Sequence, residues 1–194
     1  MLPISGIIFL LFFPASLGML GQIIWGSELT HQMLALGTFL FCIEQARMAV
    51  KDLRQITNAK NQVNDARLNN FYKITVITIV IELIGFYISS IWWGWGSVII
   101  LLSQIWFNLF AGVKIQTCPE IIIKPWNISE RLLVLFADIL GLVLVSLWMS
   151  NIASTWIAWG LFAMVIIYGS VKVVLKLVSS IYGELKQVSQ QSNQ

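Results

Sequence analysis

Glu82 and Asp138 are the residues of this chain that folding alone explains least. Each lies near the middle of a long apolar run. An ionised side chain at the centre of a membrane helix costs at least about 2.5–3.5 kcal/mol on insertion scales. It is retained by facing protein, by pairing, or by holding a proton. Gln104 and Asn108 stand one helical turn apart in a neighbouring apolar run and are the natural partners. No Lys or Arg is expected at that depth, so a buried ion pair is not expected. Two chemistries follow. The acids form a proton or cation site with the two amides, or they are neutral acids hydrogen-bonded between helices.

Other reactive types are sparse. His31 is the single histidine. One histidine cannot hold a metal unaided, and no metal site is expected. His31 could ligate a chlorophyll magnesium, as could Gln22, Gln32, Gln104 or Asn108; carotenoid or lipid are the other cofactor candidates. Cys42 and Cys118 form no CxxC or Cys/His cluster and are read as free thiols. HExxH, Walker, GxSxG and Ser/His/Asp patterns are all missing from the sequence, so an enzyme is not expected. Glu44 and Arg47, three residues apart, predict a helix-surface ion pair.

The elements that must position these groups are membrane spans. The chain has 194 residues, 58% of them hydrophobic and 11% charged, against about 25% charged in a soluble domain. The apolar runs predict an all-α polytopic membrane protein with six spans: 4–25, 30–50, 71–92, 97–113, 131–149 and 155–176. They pair as hairpins 4–50, 71–113 and 131–176, in one bundle over 1–178, with a polar tail at 179–194 that is expected to be disordered from Gln187. The first apolar run lacks a basic flank and is read as a retained helix, not a cleaved leader. Pro14 is expected to kink it.

Charge sets the topology. All 12 Lys and Arg residues fall on one side of such a bundle, and the opposite turns near 26–31, 93–97 and 150–155 contain none. Short basic loops stay cytoplasmic during insertion, which predicts both termini on the cytoplasmic or stromal side. The charge-free turns are rich in tryptophan and glycine; tryptophan there is an interface anchor, and residues 92–96 read as one tight turn. On the basic side, 51–70 predicts either a helical extension or a docking surface, with Leu53, Ile56 and Val63 as its apolar stripe. The prolines of 114–130 predict an irregular loop, with Ser129 capping span five. Arg47, Lys51, Arg54, Lys60, Arg67, Lys114 and Lys124 are the candidate docking residues. The basic residues flank spans and are not a nucleic-acid footprint.

Spans three and five share a spaced pattern. Glu82, Gly85, Ser90 and Trp92 match Asp138, Gly141, Ser146 and Trp148 at a constant offset of 56. This predicts an internal repeat of hairpins in parallel orientation, and transporters place substrate sites at repeat interfaces.

Trp25-Gly26, Gln32, Gly37-Thr38, Phe41, Glu44 and Arg47, within the hairpin from Gly18 to Arg47, carry a family resemblance. The stretch from Trp95-Gly96 to Leu101-Leu102-Ser103-Gln104 adds to it. The chain resembles small thylakoid membrane proteins of cyanobacteria and plastids catalogued as hypothetical chloroplast reading frames. The resemblance implies a photosynthetic membrane and an accessory role, and no catalytic residue. The leading expectation is an accessory or assembly subunit of a larger, photosynthetic membrane complex, in a thylakoid or bacterial inner membrane. The alternative is a small proton- or cation-coupled transporter or channel using Glu82 and Asp138.

Overall fold

A computed structural model describes residues 4–117 and 121–191. Six helices follow one another: α1 Ile4–Trp25, α2 Leu29–Gln62, α3 Ala66–Ser89, α4 Trp93–Phe110, α5 Ile128–Met149 and α6 Ser154–Gln191. All six are long and apolar enough to cross a membrane. Cys118 and the side chains of Lys172, Lys176 and Lys186 lie outside the described residues.

Three apolar clusters set the arrangement along the bundle. At one end Leu34, Trp93, Val145 and Ala158 join the starts of α2, α4 and α6 to the end of α5. The middle is held by Phe12 and Met19 of α1, Cys42 and Ala46 of α2, Ile79 and Phe86 of α3, and Ile100 of α4. At the other end Ile56, Phe71, Ala111 and Val113 bring the end of α2 against the start of α3 and the exit of α4. Beside this last cluster Lys60 lies over the Tyr72 ring at 4.6 Å.

Several boundaries differ from the sequence expectations. The 51–62 segment is not one of them: it extends α2, one of the two expectations for it, with Ile56 and Ala59 fully buried. The irregular loop expected at 114–130 contains an antiparallel hairpin, β1 Val113–Thr117 with β2 Ile121–Pro125. The β-branched run Ile121-Ile122-Ile123 outweighs the prolines, since alternate residues such as Ile115 and Ile123 pack on the third cluster. Asn127, not Ser129, is the N-cap of α5. The turn expected at 92–96 is confined to 90–92, and Trp93 opens α4. Residues 187–191 are helical and continue α6. Asp65 caps α3 by accepting from the Arg67 backbone N–H at 2.8 Å, and the Arg67 side chain and N–H hold its carboxyl below the usual carboxylate range.

Glycines decide how closely α3 and α4 approach. A Cβ on Gly85 would sit 2.6 Å from Ile100 Cγ1. One on Gly96 would collide with the Ser89 backbone nitrogen and with Gly85 O. Close backbone approach through small residues is the usual basis of helix association in lipid. Overpacking such a contact costs about 1–3 kcal/mol. Gly96→Ala is therefore expected to lower thermal stability in detergent by that amount. Gly160→Ala, whose Cβ would meet nothing within 4 Å, should be neutral. Equal effects of the two would show that the crossing does not depend on Gly96.

Candidate functional site

The buried face of α3 recurs every three or four residues: Phe71, Ile74, Thr75, Thr78, Ile79, Glu82, Gly85, Phe86 and Ser89. On α4 the corresponding residues include Gly96, Ser97, Ile100, Ser103 and Asn108. On α5 they are Arg131, Leu135, Gly141 and Val145. Spacings of three, four and seven stack side chains on one helical face. Asp138 lies seven residues beyond Arg131, on that stripe.

This geometry joins the four sequence-predicted polar residues into one chain along α4. Gln104 donates through Nε2 to Glu82 Oε1 of α3. Asn108 donates through Nδ2 to Asp138 Oδ2 of α5 at 3.2 Å, and to the Gln104 carbonyl at 3.0 Å. Glu82 is 3% exposed and Asn108 is 4% exposed, whereas Gln104 and Asp138 are half-buried. The shared Glu82/Gly85 and Asp138/Gly141 spacing has a common physical role. Each glycine faces α4, Gly85 against Ile100 and Gly141 against Leu101. The acid three residues earlier then reaches an α4 amide. The rest of the pattern is not equivalent: Trp92 is exposed and Trp148 half-buried.

Two participants escaped the sequence reading. Arg131, counted there only for topology, is 2% exposed. Its guanidinium donates to the carbonyls of Asn108, Trp126 and Asn127 and lies over the Trp126 ring at 4.8 Å. It thus satisfies a carbonyl at the exit of α4 and pins the hairpin to the bundle. Its i, i+7 relation to Asp138 was the available signal. Thr78 Oγ1, one turn before Glu82 on the same face, is buried with no hydrogen-bond partner among the described residues.

The remaining predicted residues fall elsewhere. His31 is exposed at the opposite, tryptophan-rich end, with Nδ1 3.1 Å from Glu28 Oε2 and its ring edge-on to Trp148. It does not meet Gln104, another of the pigment-ligand candidates. Gln22 and Gln32 spend their amide N–H groups on the carbonyls of Ser90 and Gly26. Arg47 pairs with Glu44 at 3.0 Å. Lys51, Arg54, Lys60, Arg67, Lys114 and Lys124 are exposed. Cys42 is buried and unbridged.

Arg131 yields a sharp test, because lysine offers a compact ammonium where arginine spans several acceptors. Arg131→Lys should lose nearly as much stability as Arg131→Met, roughly 2–4 kcal/mol by denaturant unfolding. Full retention of stability in the lysine variant would show that only the charge matters.

Comparison with protein-family models, with curated proteins and with solved structures finds no match to this chain.

Proposed function

We propose that this protein is a small proton- or cation-coupled membrane transporter or channel, with both termini on the cytoplasmic or stromal side. The observation that carries the reading is the convergence of Glu82 and Asp138, from two helices, on amides one turn apart on α4. Magnitudes argue that neither acid stays there as an uncompensated charge. Interhelical hydrogen bonds in membrane proteins contribute on average about 0.6 kcal/mol, with a maximum near 1.7. That does not offset the insertion cost of about 2.5–3.5 kcal/mol for a centrally placed charged carboxylate. Both partners are neutral amides, which orient a carboxylate without supplying charge. A proton or a cation is then the species that neutralises each acid, and two such acids set against α4 from α3 and α5 give it successive stations.

A second reading, as an accessory or assembly subunit of a larger membrane complex, has its own support. The described face of α6 running through Trp156, Gly160, Ala163, Ile167 and Val171 is uncovered by the rest of the chain. No atom approaches a Cβ on Gly160 or Gly169. Small residues on an apolar helix surface admit a second helix closely. A thylakoid setting would make that partner photosynthetic, with the exposed basic residues of α2 and the β-hairpin as docking points.

The two readings separate in one set of variants. Glu82→Gln and Asp138→Asn in proteoliposomes should each abolish proton or cation flux, at least tenfold, while unfolding stability stays the same or rises. Undiminished flux in both variants, or no flux in the native protein, would sink the transporter reading. Migration of the native protein with a much larger complex, lost on Gly160→Leu, would favour the accessory one.

A further inference from the structure

The charge-free end carries a feature that neither reading uses. The ends of α1 and α5, the starts of α2 and α4 and the turns that precede them line an open recess of about 770 Å³. Five tryptophans line it: Trp25, Trp92, Trp93, Trp95 and Trp148. Interface anchoring explains an exposed indole pointing into lipid headgroups. It does not explain the floor of this recess. Trp93 is 9% exposed, and its Nε1–H donates to Thr38 Oγ1 at 2.7 Å. Trp148 packs edge-on to Trp93 at 4.8 Å between ring centroids, and the His31 ring packs edge-on to Trp148 at 5.3 Å. The floor is thus fixed by a buried hydrogen bond and ring-to-ring contacts. Trp25, Trp92 and Trp95 form an exposed rim.

Charge complements these aromatic faces. Glu28 lines the recess, and the turns at this end contain no Lys or Arg. Indole faces attract cations through the ring quadrupole, and several such faces around a carboxylate form the arrangement that receives alkylated ammonium groups. Among the described residues, His31 is the titratable group paired with Glu28, at 3.1 Å. We infer that this recess is a binding site for a quaternary or alkylated ammonium group, cradled by the tryptophans and countered by Glu28. The group could arrive as a free small cation or as the headgroup of a lipid in the adjoining leaflet.

Calorimetric titration of the purified full chain tests this with choline and with its neutral isostere, in which a quaternary carbon replaces the nitrogen. Choline should bind roughly tenfold or more tightly than the isostere, and Glu28→Gln and Trp95→Leu should each weaken it by a similar factor. Both substitutions lie on the exposed rim, and retained helical content by circular dichroism verifies folding. In parallel, native mass spectrometry compares retention of choline-headed and glycerol-headed phospholipids. Free-choline binding identifies a soluble-cation site. Choline-headed lipid retained selectively and lost in Glu28→Gln, without free-choline binding, identifies a headgroup site. Equal binding of choline and isostere, indifference to Glu28→Gln, or neither form bound would overturn the inference.

Discussion

The structure depends on α4 lying close enough to both α3 and α5 for short polar side chains to meet. In lipid, no water satisfies a polar group left exposed in the hydrocarbon, so partners must come from within the protein. Gly85 and Gly96 remove the side chains that would separate α3 from α4, and Gly141 faces α4 from α5. Only at that approach do Glu82 and Asp138 reach Gln104 and Asn108. Close packing and polar satisfaction are therefore one constraint here, met by an acid and a glycine three residues apart on each flanking helix.

The ends of the bundle solve the same problem differently. At the basic end the carbonyl of Asn108 would otherwise lack a helical donor, and Arg131 supplies one while also engaging Trp126 and Asn127. A planar guanidinium can bridge acceptors set apart in this way, and it stacks on an aromatic face. At the tryptophan-rich end the indoles do not merely mark the interface. Trp93 and Trp148 are ordered against each other beneath an open rim. Polar ordering is thus concentrated in the α3–α4–α5 core and its two ends, while α6 leaves much of its described surface uncovered.

Where the sequence reading succeeded, a periodic or compositional signal was strong. Six apolar runs became six helices, and the local pair Glu44–Arg47 lay within one turn. It erred where tertiary contacts outweighed local signals. Prolines suggested an irregular loop, but Ile115 and Ile123 found an apolar surface on which to pack as strands. Glycines at 94 and 96 looked like a turn, yet their role is close approach within a helix.

The sequence by itself determined that the chain has six membrane-length helices and that its charged and tryptophan-rich segments alternate along it. These properties follow from hydrophobic run length and residue type, which need no partner. It also singled out Glu82, Asp138, Gln104 and Asn108, because a polar group in an apolar run is conspicuous wherever it points. Only the tertiary structure decided that these four join in one chain on α4, that Arg131 is buried beside them, and that five tryptophans from three separate segments line one recess. Those facts depend on which helix faces meet and how closely, and residues far apart in the chain settle that jointly through packing.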